Sequence, residues 1–309
     1  MSEVQEALSP DADSAQNMRK NYLGIVALIS GLCIAAGTGA IMKLLSADLS
    51  SFQITWFRFT GFALMMAPVM IWKFRAVVLR PARPGIQFVR GLTMAAGTVA
   101  FVVGARTIDF ADAIAILYAY PFLLTVLAVL FLGERVHPVA WLGVFGGFVG
   151  VLLVMRPEFR TVNAGSLFVF LCAVIVSVQM VMNRKLGSVS HPLVTSFWGA
   201  LVAAVALSCV APFHWDDVGR EHGMLLLLLI VSGAVSQILI VFAFSQAEAS
   251  VLAPFSYFEI IAAVLIGWFV FGTLPVWLSA LGIVLILVSG ILVARALRGR
   301  HSPRRHPKF

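Results

Sequence analysis

Apolar residues run along this chain in long unbroken blocks, with neither the alternation of a half-buried strand nor the one-sided stripe of a surface helix. The pattern predicts helices that are apolar all round. One helical crossing of a bilayer core takes about 20 residues at about 1.5 Å each. Charge-free stretches at residues 21–42, 91–105, 113–133, 136–155, 161–183, 186–215 and 222–247 each accommodate one such helix. The stretch 260–294 is too long for one, and Gly272-Thr273-Leu274-Pro275 supplies a turn inside it. Two further blocks are interrupted only by Arg58 and only by Glu259. The expectation is ten helices, beginning near residues 22, 54, 88, 112, 138, 165, 192, 223, 250 and 277.

Composition removes the soluble alternatives. Of 309 residues, 61% are hydrophobic and 12% charged, with mean hydropathy +0.98; a soluble domain needs about a quarter of its residues charged to keep its surface wet. The first apolar block is preceded by Glu3, Glu6, Asp11 and Asp13, which is the wrong flank for a signal peptide. Residues 1–21 read as a disordered cytoplasmic tail and 297–309 as a basic one. The net charge of +8 does not form a nucleic-acid face, because the basic residues fall between apolar blocks. Placing the amino terminus in the cytoplasm puts sixteen of the twenty-two Lys and Arg on that side, so both termini are expected there. Cys33, Cys172 and Cys209 form no paired framework, and the six histidines lack ligand spacing, so neither disulfide, metal nor cofactor is expected.

Sliding the chain along itself by 139 residues sets 118–156 on 257–295 without a gap. Tyr118 then falls on Tyr257, Gly133 on Gly272, Gly143 on Gly282 and Arg156 on Arg295, among eight identities. Near an offset of 142, Lys43-Leu44 falls on Lys185-Leu186. Two halves of five helices, 22–160 and 161–296, are expected; an odd number of crossings makes the second inverted relative to the first. Inverted repeats are a signature of carriers, because the halves can exchange conformations around a central site.

Certain residues carry a family resemblance: Arg58 early in the second helix, the run Arg106-Thr-Ile-Asp-Phe-Ala-Asp-Ala-Ile-Ala, and Phe131-Leu-Gly-Glu-Arg135 before a glycine-rich helix. Over roughly residues 22–296 the chain resembles the drug/metabolite transporter superfamily, in its ten-helix form built of two EamA-type repeats. It departs from that pattern where Gly272 is followed by Thr273 and not by glutamate, which argues against a paired role for Glu134. The resemblance implies a bacterial inner-membrane secondary carrier for small organic solutes, among them riboflavin, S-adenosylmethionine and amino acids or their derivatives, with import and export both open.

Glu259 lies nine residues into its helix, near the bilayer midplane, where a charge costs several kcal/mol unless paired or wetted. It is a candidate for substrate binding and proton coupling; the plainer alternative is a protonated carboxyl that ties helices together. Arg58, about a turn into the second helix, suits a substrate carboxylate or can snorkel to the interface. Pro121 and Pro254 must interrupt the fourth and ninth helices, freeing the carbonyls of Leu117 and Ser250. Around them stand Tyr118, Tyr120 and Tyr257, which can stack on a flat ligand or merely pack. Gln179 and Gln237 offer amides inside the sixth and eighth helices, for substrate or as glue, and Asn183 lies one turn beyond Gln179. The GxxxG spacings of Gly143, Gly146, Gly147 and Gly150 provide a packing face, inside one chain or in a homodimer. No nucleotide-binding loop and no nucleophile-plus-histidine set appears, so the expectation is a non-enzyme whose partners are a small-molecule substrate and the lipid bilayer, with no nucleic acid. An integral-membrane enzyme acting on lipid or prenyl substrates, and a channel, are the competing readings.

Overall fold

The computed structural model describes residues 9–74, 81–132, 138–155, 163–187 and 190–298, and these are helical throughout their ordered elements. In chain order the helices are α1 (Ser9–Leu45), α2 (Ser51–Phe74), α3 (Pro84–Ala105), a broken α4 (Phe110–Leu117 and Tyr120–Leu132), α5 (Pro138–Met155), α6 (Ala164–Gly187), α7 (Pro192–Ser208), α8 (His222–Gln246), a broken α9 (Ala249–Leu252, a 3-10 turn at Ala253–Tyr257, then Phe258–Phe271) and α10 (Trp277–Arg298). Among the described residues, six segments are long and apolar enough to cross a membrane, from Met18–Leu45 to His222–Gln246, and four shorter apolar ones accompany them. The outer surface carries the matching apolar skin: Trp72 is 80% exposed, Phe145 72% and Phe269 74%. A surface of that kind is wetted by lipid, and the chain is a multi-pass membrane protein.

The helix starts fall close to those read from the sequence, with one extension. α1 begins at Ser9, inside the stretch read as a disordered tail. Pro10 stands in its first turn, where the missing N–H costs nothing. A long apolar helix nucleated further along can propagate back through such residues, because each added one makes a further backbone bond. Residues 1–8 and 299–309 of the predicted tails, and 133–135 of the family motif, lie outside the described residues.

The repeat is visible in who packs on whom. α1 runs along α8, and α3 along α6; α2 packs on α7, and α5 on α10. Exchanging each helix for its counterpart five places away turns the α1–α8 pair into α6–α3 and leaves the other two pairs unchanged. The packing therefore has the pairing of an approximate two-fold.

The tightest seam is α5 on α10. A side chain at Gly150 would stand 2.8 Å from the Gly282 carbonyl oxygen, and one at Gly282 would stand 2.6 Å from that of Gly150. The small-residue face of α5 is thus spent inside the chain, with backbones close enough for extensive dispersion contact. Gly272 ends α9 with a left-handed φ of 65°, which lets the amides of Gly272 and Thr273 reach the carbonyls of Trp268 and Gly267 at 3.1 and 3.0 Å. That turn separates α9 from α10 where the sequence placed it.

Candidate functional site

Both predicted interruptions occur, and in matching helices. α4 stops after Leu117, turns through Tyr118 and Ala119, and restarts at Tyr120 ahead of Pro121. α9 changes to a 3-10 turn across Pro254 before resuming at Phe258. The missing amide and the bulk of each ring are the cause. The breaks lie side by side: the Tyr118 and Tyr257 rings are 5.6 Å apart, and the Tyr120 ring lies tilted to that of Tyr118 at 5.7 Å.

Tyr118 is almost wholly buried. Its hydroxyl lies 2.8 Å from Glu259 Oε2 and 2.6 Å from the Ser256 carbonyl oxygen. Tyr257 is buried for a different reason, its ring filling the space that Gly290 of α10 leaves open; its hydroxyl makes no hydrogen bond among the described residues. Tyr120 is half-buried beside them.

These groups back a cavity of about 310 Å³ at the centre of the bundle. Its wall takes Met42, Arg58, Phe101, Ile114 and Leu117 from the first half and Cys172, Gln179, Gln237 and Glu259 from the second. Arg58 and Glu259 are both on the wall, yet no ion pair joins them. Arg58 points a guanidinium N–H at the Met42 sulfur, 3.5 Å away, and lies over the Phe59 ring. Gln237 donates to the Ser196 hydroxyl at 3.0 Å, while the Gln179 amide makes no hydrogen bond among the described residues. A smaller pocket continues from Arg58, Phe59, Met94 and Gln237 toward Ser196 and Ala200 of α7. Among the described residues no lining residue comes from α5 or α10, which pack on each other.

Of the residues read from the sequence, Arg58, Gln179, Gln237 and Glu259 line the cavity, Tyr118 joins it through Glu259, and Tyr120 and Tyr257 stand behind Tyr118. Others were missed. Arg90 counts as a loop cation by sequence, but it is 5% exposed and bonds Asn183 at 2.5 Å and the Thr195 carbonyl at 2.8 Å, tying α3 to α6 and α7. Asp112 is buried in the first turn of α4 and accepts from Ser279 of α10 at 3.2 Å. Trp56 makes an internal tie, donating to Ser208 at 2.8 Å against the ring of Trp215. Met42, Met94, Met180 and Cys172 line the cavity without leaving a signal in so apolar a sequence; the helical spacing of Cys172, Val176 and Gln179 was the one clue available.

A largely apolar chamber holding a few charged and amide side chains, set among lipid-facing helices between two like halves, fits a membrane transporter of small metabolites. The comparisons with other proteins agree: residues 22–156 and 163–295 each match the EamA-like transporter family, and the chain belongs to that family. It is 26% identical to the S-adenosylmethionine uptake transporter of Rickettsia conorii, over 89% of this chain and 93% of that one. It is 27% identical to the riboflavin transporter of Rhizobium johnstonii, over 76% and 78%, and 29% identical to the pseudopaline exporter CntI of Pseudomonas aeruginosa, over 84% and 92%. A crystal structure with 18% identity superposes with a TM-score of 0.63 across 94% of this chain and 99% of the other, which establishes the shared fold.

Proposed function

We propose that the chain is a secondary carrier working by alternating access in a bacterial inner membrane, with ten crossing helices in two inverted five-helix repeats and both termini cytoplasmic. The preferred substrate is a small metabolite bearing both charges, such as an amino acid derivative or S-adenosylmethionine, with riboflavin as the uncharged planar case. One observation carries this reading: Arg58 from the first half and Glu259 from the second share a central cavity without pairing to each other. Buried charges are costly unless compensated, so a zwitterion entering between them supplies both partners. The lysine and arginine asymmetry of the sequence supports the orientation, and the exchange-related packing pairs support the repeats.

Glu259 is the proton-coupling group in this scheme. With Glu259 ionised, the Tyr118 proton serves either the carboxylate or the Ser256 carbonyl; with Glu259 protonated, Tyr118 donates to Ser256 and Glu259 donates to Tyr118. A cationic group of the substrate competes for the ionised form, which links its binding to proton occupancy.

The test is counterflow in proteoliposomes with radiolabelled S-adenosylmethionine, riboflavin and amino acids, with and without a proton gradient. Saturable counterflow of one solute, with gradient dependence that disappears in Glu259→Gln, is the expected result. Flux insensitive to solute on the far side would indicate a channel, and gradient dependence surviving in Glu259→Gln would remove that residue from coupling. Conversion of a lipid or prenyl compound without flux would favour the membrane-enzyme reading.

A further inference from the structure

Beside the cavity, two helix ends exchange hydrogen bonds that a binding chamber does not require. Lys43, in the last turn of α1, donates to the Ala105 carbonyl at 2.7 Å and also to the Ile108 carbonyl, at the carboxyl end of α3 and just beyond it. Arg106, the next residue after α3, donates in return to the Ser46 carbonyl and lies 3.5 Å from that of Leu49, beyond the end of α1. Each helix end thus offers a cation to the other's unsatisfied carbonyls, where the helix dipole is negative. The Lys43 ammonium also sits 5.4 Å from the centroid of Phe271, the last residue of α9, so the second half closes over the same point. Asp109, from the adjoining turn, is near enough to act on Lys43 electrostatically.

The clasp adjoins the cavity wall along both helices. Met42, the neighbour of Lys43, is on the cavity wall and receives the Arg58 contact, and Phe101 of α3 faces the same space one turn below Ala105. These bonds tie the ends of α1 and α3 together beside that wall. Lys185 occupies the position of Lys43 in the second half, at the end of α6, and its side chain is exposed and makes no hydrogen bond among the described residues. The same residue type at equivalent places is therefore clasped at one end of the bundle and free at the other.

We propose that the reciprocal clasp of Lys43 and Arg106 is the gate of the cavity at the α1–α2 end, and that it must release for the cavity to open there. The proposal rests on the carrier reading for its purpose, but its geometry and its test do not need a substrate. Cys172 lies on the cavity wall and serves as the probe in a full-length Cys33→Ala, Cys209→Ala background. A membrane-impermeant maleimide is applied from the side on which the Ala47→Cys variant, substituted in the α1–α2 loop, reacts in a parallel preparation.

The expected result is that Lys43→Met labels at least ten times faster than the parent from that side, that Lys43→Arg labels at close to the parent rate because it still donates to the carbonyls, and that Lys185→Met is unchanged. Where Lys43→Met fails to give monodisperse protein, Arg106→Met decides the question with the same expected acceleration. An unchanged rate in the folded clasp variant, or an equal acceleration in Lys185→Met, would overturn the gate. Accelerated labelling in a protein that shows no counterflow of any solute would keep the gate and retract the carrier reading, so the two fail separately.

Discussion

The two halves share their scaffold and divide their chemistry. Both break the fourth helix of the repeat at a proline beside a tyrosine, and both press that tyrosine's neighbourhood against the fifth helix. Yet at the offset that aligns Tyr118 with Tyr257, Glu259 falls on Tyr120, and at the offset that aligns Lys43 with Lys185, Arg58 falls on Ala200. Each half contributes one charge that the other lacks. The tyrosines differ in the same way: Tyr118 holds Glu259 and Ser256 through its hydroxyl, while Tyr257 is held by its shape against Gly290. In the proposed carrier, the duplicated packing supplies two like bodies and the unlike residues give the space between them its selectivity.

The largest effect should come from attacking what the halves share. Gly150→Val forces a branched side chain into the Gly282 backbone, which cannot swing away as a side-chain tip can, and overpacking of this kind costs roughly 1–3 kcal/mol or more. A clear fall in thermal stability in detergent, against no change for Gly37→Ala, where nothing lies within 4 Å, is the expected contrast. Next come the unlike charges. If the proposed substrate contacts hold, Arg58→Gln and Glu259→Gln each remove a charged hydrogen bond worth about 1.5–3 kcal/mol, and the substrate concentration giving half-maximal counterflow should rise on the order of 10- to 100-fold. Equal and small effects from both would mean that the cavity does not read charge. The finest comparison is Tyr118→Phe against Tyr257→Phe. The first deletes the hydroxyl that reaches Glu259 and Ser256, a hydrogen bond worth about 1 kcal/mol or more, and should reduce transport several-fold, and the second should leave it unchanged. A reversed order would show that the hydroxyl of Tyr257, not that of Tyr118, faces the substrate.

Much of the fold was legible because lipid imposes so simple a rule. A helix crossing hydrocarbon must be apolar over about 20 residues and must satisfy its own backbone, so helix starts, the Gly272 turn and the breaks at Pro121 and Pro254 can be read off one dimension. Glu259 and Arg58 were legible for the same reason, since charges stand out against such a background. The reading failed where position along the chain is a poor guide to depth: Arg90 sits near a helix start and was grouped with the loops, yet Asn183 and Thr195 draw it inside. The amino-terminal reach of α1 was missed because local polarity resembles that of a tail while helix propagation is cooperative.

The sequence by itself determined the membrane class, the helices, the repeat and the residues whose chemistry is out of place in lipid. Only the tertiary structure decided which of those residues meet. Whether Tyr118 or Tyr257 bonds Glu259, whether Arg58 pairs with it, and which lysine clasps a neighbouring helix depend on side chains more than sixty positions apart approaching within about 3 Å, a length scale on which hydrogen bonds are directional and periodicity carries no information.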